Sequence, residues 1–406
     1  MKRQILTLFT LALVLNLLFS QNKIQLHDKK FSYEIENEKN EGKLRQSSAA
    51  YYYTYIGNYQ KSLENYSLQL DWNLDTISYS DSLKFSKYKP INAIDYLGGK
   101  IKDEQIVIIS EAHQMPQHRV FTTKLLKKLY ESGFRHLGLE TLTPSYGDST
   151  KFLMDTLLNE RGYPLNSPLT GFYTREPQMG NLVREAIKLG FTVFGYEGTN
   201  GEVERDLQQA INIQKYMDAH PNEKIIIHCG WYHAIESNYP KRKSDNYMAY
   251  HLKKRTGKNP LTIYQDALSE RINFEENSPY FNMVKSKEVS ILINDKNDVF
   301  NGFGENRHFD IFIYHPPTKF VRNRPDWLLK DEEKRFVAVE KDRIKSDEYP
   351  VIVEAIFKNE EDSVPIDVVE LLSEEDLTEL ILKKGEYKIR LTNKSKNVKE
   401  YELKIE

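Results

Sequence analysis

The chain has 406 residues, 39% of them hydrophobic and 29% charged, and a formal net charge of −2. That length allows one large domain or two to three ordinary ones, and the near-neutral charge gives no global attraction to nucleic acid or to an anionic membrane. A single cysteine, Cys229, excludes an intramolecular disulfide and a cysteine-rich zinc site.

At the N-terminus, Lys2 and Arg3 precede an apolar run from Ile5 to Phe19, broken only by Thr7, Thr10 and Asn16, and Ser20-Gln21 follows. A basic start, a short apolar core and a small residue after it have the form of a secretory signal peptide, expected over residues 1–21. The run falls short of the roughly 20 residues that span a bilayer comfortably, and no other apolar stretch reaches that length. The expectation is an exported protein, periplasmic, extracellular or associated with the cell envelope, with no integral membrane segment after signal removal. Residues 22–45 are polar, without period, and read as a linker. Over residues 46–88, Ala49, Ala50, Tyr53, Ile56, Tyr59, Leu63 and Tyr66 recur at three- and four-residue steps, the spacing of a helix face. They predict a tetratricopeptide-like helical hairpin. One such unit cannot build a solenoid, so it is expected to cap the main domain.

Residues 89–329 alternate apolar runs with helical patterns. Ile106-Val107-Ile108-Ile109, His136-Leu137-Gly138-Leu139, the run from Phe191 to Tyr196, the run from Lys224 to His228 and Leu261-Thr262-Ile263-Tyr264 are expected strands. Helices are expected over residues 120–130, 151–159, 180–189, 202–217 and 245–255. Continuous apolar strands between helices predict an α/β fold with a mostly parallel sheet covered on both faces. Runs at 289–293 and 309–314 are expected to finish or flank that sheet. Residues 330–348 are highly charged and read as a linker or an exposed helix. Residues 349–406 predict a small β-rich domain: one strand at 351–357, then alternation of Tyr387, Ile389 and Leu391 with polar residues, a hairpin loop at 393–397, and alternation of Tyr401, Leu403 and Ile405.

In an open parallel sheet, ligands bind outside the carboxyl ends of the strands. This sequence delivers Glu111 and His113 to the end of one strand, Glu140 to the next, Glu197 to the third, and His228 and His233 to the fourth. A single such glutamate is ordinarily a helix-cap neighbour or a salt-bridge partner. Several together are costly to bury unless cations, protons or a metal compensate them. Two chemistries fit. His113, Glu140, Glu197, His233 and His228 could hold Zn²⁺, Mn²⁺ or Fe²⁺, and the ion would activate water. Alternatively, a histidine oriented by a glutamate acts as general base on water while arginine stabilises the developing charge. No Gly-x-Ser-x-Gly nucleophile elbow is present, which disfavours that class of serine hydrolase. For His118 and Arg119 a solvated first helical turn is the expectation; for Cys229, a buried thiol; for His308 and His315, ordinary strand-edge positions.

The run from Ile106 to Arg119, with Ser110-Glu111-Ala112-His113 after the apolar strand, resembles the opening motif of the erythromycin esterase/ChaN/Tiki-like superfamily, which is related to TraB. Ser110 stands where that motif has glycine. The run from Gly133 to Glu140 resembles the family's second motif, Phe194-Gly195-Tyr196-Glu197 its third, Glu204-Arg205-Asp206 the start of the helix that follows, and Gly230-Trp231-Tyr232-His233 its late histidine motif. The resemblance spans about residues 90–265. It implies His113 as base or metal ligand, Glu111 and Glu140 as its acids, His233 as the second histidine and Arg205 as a substrate clamp. It also implies a hydrolase of the esterase or metal-dependent peptidase type, acting on an ester or amide in a small molecule or peptide. Haem or iron binding for uptake is the second expectation. A non-catalytic interaction scaffold, built on the helical cap and the β-rich tail, is the third.

Overall fold

The computed structural model describes residues 26, 28–66, 76–144, 151–198, 201, 203–239, 246–304, 307–331 and 333–406. The expected signal peptide lies outside the described residues. Four helices come first: α1 (Ser32–Asn40), α2 (Gln46–Thr54), α3 (Tyr59–Asn65) and α4 (Tyr79–Phe85). The α/β region follows as β1 (Lys89–Asn92), α5 (Ala93–Lys100), β2 (Ile106–Glu111), α6 (Pro116–Glu131), β3 (Phe134–Leu139), α7 (Leu158–Arg161), α8 (Pro177–Leu189), β4 (Thr192–Gly195), α9 (Arg205–Ala219), β5 (Lys224–Gly230), α10 (Met248–Thr256), β6 (Leu261–Leu268), α11 (Pro279–Met283), β7 (Ser290–Ile293) and β8 (Ile311–Tyr314).

These eight strands form one sheet in the order β1-β7-β8-β6-β2-β5-β3-β4. All pairs from β8 to β4 are parallel, while β1 and β7 add an antiparallel edge. The fold is therefore mixed α/β with a mostly parallel sheet flanked by helices. Alternate residues of β2 point to opposite faces. Ile106 and Ile108 pack with Ala210 and Ile213 of α9 and Met248 and Leu252 of α10. Val107 and Ile109 pack with Leu125, Leu126 and Leu129 of α6 and Leu182 of α8. Both faces are covered, which is why the strands read as unbroken apolar runs. Helix α6 starts with Pro116 at its first turn, where no N–H is missed, and Gly133 just beyond it takes φ +93°. Strand β1 contains Pro90, tolerated because β1 is an edge strand.

The chain lays β2, crosses to β3 and β4, returns to place β5 between β2 and β3, then continues on the other side with β6. The strand order thus reverses around β2 and β5. The carboxyl ends at such a reversal diverge and leave a crevice.

The rest of the chain is antiparallel: short ribbons β9 (Phe320–Val321) with β10 (Arg324–Pro325) and β11 (Arg335–Val337) with β14 (Leu380–Leu382), and a sheet in the order β13-β12-β15-β16, from β12 (Val351–Phe357), β13 (Asp367–Leu371), β15 (Gly385–Asn393) and β16 (Val398–Ile405). In the last hairpin Ile389 pairs with Tyr401 and Tyr387 with Leu403. The Asn393 side chain accepts from the N–H groups of Ser395 and Asn397 and closes the turn.

Three expectations change. Residues 32–40 form a helix within the stretch read as linker: Phe31 and Ile35 bury against Tyr53, Ile56, Ile352 and Val368. Its stability comes from that docking rather than from its own charged sequence. The helix expected at 151–159 shrinks to one turn, α7. Residues 330–348 contain β11 and two short turns instead of a helix or a bare linker. The N-terminal helices thus pack on the C-terminal sheet as well as on the α/β region. The fully buried Arg324 ties them together: it bonds Asp367 of β13 and donates to the carbonyl of Gly57.

Candidate functional site

Strand β2 ends on Glu111, and the turn into α6 carries His113. Their side chains meet, with Glu111 Oε1 2.8 Å from His113 Nδ1. Arg119, in the first turn of α6, reaches back over the same carboxylate: Nε donates to Oε2 at 2.8 Å and Nη2 to Oε1 at 2.7 Å. Nη2 also donates to the carbonyl of His113 at 2.7 Å, and Nη1 to Glu176 Oε2 at 2.9 Å. Glu176 caps α8 through the N–H of Met179 and accepts from the hydroxyl of Tyr59 in α3. Glu111, Arg119 and Glu176 are all buried. The expected solvated first turn of α6 is therefore corrected: His118 and Arg119 lie inside, because Arg119 is the counter-charge that lets two carboxylates be buried. Burial by itself would raise the pKa of Glu111, but Arg119 and the bond to His113 hold it well below the usual range. Burial keeps Glu176 above its ordinary value despite Arg119.

The His113 ring is stacked on Tyr173, with centroids 3.9 Å apart at 20°, and meets the edge of Trp231 at 4.7 Å. Tyr51, from α2 of the N-terminal hairpin, stands 6.4 Å away and contacts Tyr173. Burial holds both phenols well above their usual pKa, so they stay neutral. His113 Nε2 points at Glu140 Oε2 at 3.8 Å, beyond hydrogen-bond reach. Gly230, which ends β5, makes this arrangement possible. A Cβ there would stand 2.4 Å from His113 Nε2 and 3.2 Å from Glu140 Oε2.

Glu140 follows β3. Its Oε2 accepts the N–H of Gly230 at 2.5 Å, and its Oε1 accepts Arg205 Nη2 at 2.6 Å. Arg205, first residue of α9, also binds Glu197 after β4 through Nε at 3.0 Å and Nη2 at 2.6 Å. Gln209, one turn along α9 from Arg205, adds a donor to Glu197. His233 lies in the short turn Trp231–Ala234 after β5. Its Nδ1 sits 2.5 Å from Asp206 Oδ1, and its Nε2 lies 3.0 Å from Arg205 Nη1 and 3.5 Å from Glu140 Oε1. Asp206 is fixed by the N–H of Met248. Burial opposes protonation of His233, yet Glu140 and Asp206 outweigh it and raise its pKa. Protonation would turn Nε2 from an acceptor of Arg205 into a donor toward Glu140. His228, within β5, is buried with Nε2 3.7 Å from Glu111 Oε2 and no hydrogen-bond partner for that atom. Burial drops its pKa to about 4, so it is neutral.

The side chains expected from the sequence are thus brought together at one sheet edge. They form two linked centres. The inner one is Glu111, His113 and Arg119; the outer one is Glu140, Glu197, Arg205, Asp206 and His233. Asp206, Glu176, Tyr51 and Tyr173 were not among the site residues expected from the sequence. Cys229 is buried and its thiol pKa is pushed well up by burial, as expected for an inert thiol. His315 is buried rather than at an edge, against His118 and Gln265.

The donor set does not fit the expected divalent ion. Arg119 takes both oxygens of Glu111, Arg205 takes Glu140 and Glu197, and the Nδ1 atoms of His113 and His233 face carboxylates. Among the described residues, no three His, Cys, Asp or Glu side chains are placed to hold a metal ion. Guanidinium groups supply the positive charge beside these carboxylates.

Glu140 makes a measurable contribution. Burial would raise its pKa, but His233, His113, Arg205 and the Gly230 N–H bring it down to about 2, from 4.5. A carboxyl whose folded pKa lies below its unfolded value stabilises the fold above the unfolded pKa and loses that contribution as pH falls through the folded one. Glu140 is expected to supply about 3 kcal/mol at neutral pH, lost between pH 4.5 and about pH 2. Urea titrations at stepped pH check this, since that part of the slope should vanish in Glu140→Gln.

No protein-family model and no curated protein sequence matches the chain. Solved structures similar over part of it include the type III effector HopBA1, at 15% identity over 56% of this chain and 95% of its own, with a TM-score of 0.33. ChaN of Campylobacter jejuni, which binds haem cofacially, is similar at 9% identity over 57% of this chain and 98% of its own, with a TM-score of 0.32. RRSP, a MARTX toxin effector domain from Vibrio vulnificus, is similar at 14% identity over 54% of this chain and 46% of its own, with a TM-score of 0.28.

Proposed function

We propose that this edge is a hydrolytic site in which His113 activates water against an ester or amide bond of a small molecule or peptide, without a metal. One observation carries the reading. His113 Nδ1 is held by the Glu111 carboxylate at 2.8 Å, and Arg119 keeps that carboxylate ionised from its other side. The Nδ1–H tautomer this favours leaves the lone pair on Nε2, which lies against the Cβ-less Gly230 with Glu140 Oε2 3.8 Å away. A carboxylate-oriented imidazole of this kind is the general-base arrangement of acyl-transfer sites. Arg205, about half exposed, stands beyond it, and His233 beside it would join it on protonation; there they can meet negative charge developing on the carbonyl oxygen or the leaving group. The basic and apolar residues 1–21 support action outside the cytoplasm.

The test is turnover of an ester and amide panel by His113→Asn, with thermal unfolding as the fold control. The expected result is a fall in kcat of about 10²–10⁴-fold with the fold retained. Equal turnover in a folded variant would reject the assignment. If the wild-type protein hydrolyses no member of the panel, the scaffold reading gains instead.

Haem binding is the second reading, favoured by the aromatic wall of Tyr51, Tyr173 and Trp231 around His113. Axial ligation needs an unobstructed imidazole nitrogen. His113 Nδ1 is bonded to Glu111, and Nε2 is closely flanked by Gly230 and Glu140. A haemin titration is therefore expected to show no Soret shift that depends on His113. A stoichiometric shift abolished in His113→Asn would favour haem over hydrolysis.

A further inference from the structure

Beside the turn that carries His113, a narrow crevice opens between α3, the start of α6 and the segments after β6 and β8. Tyr59, Trp327 and Phe320 form its aromatic walls, and Gln114, Gln117 and Glu270 supply its polar groups. The rings of Tyr59 and Trp327 are 5.2 Å apart and tilted by 57°. The polar groups are almost wholly buried, with Gln114 at 3%, Gln117 at 5% and Glu270 at 8% exposure.

Their hydrogen bonding is lopsided. The side-chain oxygens of Gln114 and Gln117 have no partner. Gln117 Nε2 faces the carbonyl of Pro316, which fixes which end of that amide is oxygen. Glu270 Oε1 accepts the N–H of Thr318 at 2.9 Å. Among the described residues no lysine or arginine pairs with Glu270. Its chain neighbour Arg271 turns away, to Asp266 and to the carbonyls of Ser269 and Glu270. A buried carboxylate without a counter-ion, beside two unsatisfied acceptors, costs stability that a donor-bearing cation would recover. Aromatic faces around such a point attract a cation further. Burial pushes the pKa of Glu270 up and Asp326 adds to the rise, against the opposing pull of Thr318 and Arg271.

We propose that this crevice binds the head of a primary alkylammonium group between the rings of Tyr59, Trp327 and Phe320, with Glu270, Gln114 and Gln117 accepting its three N–H bonds and its carbon stem left outside. The crevice has about 20 Å³ of room, enough for one group of water or ammonium size, which takes roughly 10–15 Å³. A ligand therefore enters head first and stays tethered outside. Lysyl side chains and free alkylamines share this chemistry. The site is separate from the hydrolytic reading and does not rest on it.

The experiment is calorimetric titration of the purified protein with n-propylamine at neutral pH, with Nα-acetyl-lysine amide, and with n-propanol as the neutral control. Saturable binding of the amines and none of the alcohol is the expected result. The tighter of the two amines tells whether the site takes free amines or lysyl chains. Glu270→Gln is expected to weaken binding about 30-fold or more, the loss that follows when one partner of a buried charge pair is neutralised. Gln117→Met keeps the charge and removes an unsatisfied acceptor together with the Nε2 contact to Pro316, so thermal unfolding serves as its fold control, and it is expected to weaken the amine. Absence of saturable amine binding, equal binding of propanol, or unchanged affinity in both folded variants would overturn the proposal.

Discussion

Replacing Arg119 by methionine is expected to destabilise the fold by about 3–5 kcal/mol, read as a lower urea midpoint with an unchanged slope. Methionine fills much of the same volume but carries no charge. It leaves Glu111 and Glu176 buried without a cation and strips the His113 carbonyl of its donor. Arg119→Lys should recover only part of the loss, since one ammonium cannot reproduce a fork that spans two carboxylates. The comparison is Arg205→Met. Arg205 also joins two glutamates, but its side chain is 51% exposed, so water replaces it and the cost should stay near 1 kcal/mol or below. If Arg119→Met cost no more than Arg205→Met, the claim that Arg119 is the structural counter-charge of the inner centre would be wrong.

Glu111→Gln is expected to lower kcat by about 10³–10⁴-fold, the order that follows when the carboxylate orienting a catalytic histidine becomes an amide. Glutamine at 111 has one acceptor and one donor end for two partners that both donate, Arg119 and His113 Nδ1–H. If its oxygen serves Arg119, its NH₂ faces Nδ1 and drives the proton to Nε2, which removes the base. If its oxygen serves His113, its NH₂ opposes Arg119 in the buried interior. Either outcome impairs turnover, and the second also destabilises. A pH–rate profile separates them, because a changed tautomer removes the basic limb while simple weakening shifts it.

Much of the sheet could be read from the chain, because its parallel strands are buried on both faces and leave runs such as Ile106-Val107-Ile108-Ile109 with no polar interruption. The glutamates and histidines just after those runs stood out for the same reason: they break an apolar pattern at the one place where the fold opens. What was hidden depends on distant partners. Tyr51 and Tyr173 reach His113 from outside the strand–helix pattern, and nothing in their own surroundings distinguishes them from the other tyrosines. Glu176 reads as an ordinary helix cap, which it also is. Arg119 lies on a helical turn whose burial is visible only once α6 docks. Asp206 was passed over beside Arg205, although an acid adjacent to the helix arginine and a histidine farther on were the available signal. Helix α1 has only Ile35 as a buried side chain among charged neighbours, so its sequence gave no amphipathic pattern to follow.

Hydrolysis by chelator-treated protein, measured side by side with its His113→Asn variant on the same ester substrate, tests the central claim most directly. The account predicts full turnover after chelation and a loss of about 100-fold or more in the variant. Turnover that disappears on chelation and returns with added zinc or manganese, or a folded His113→Asn variant as active as the parent, would contradict it.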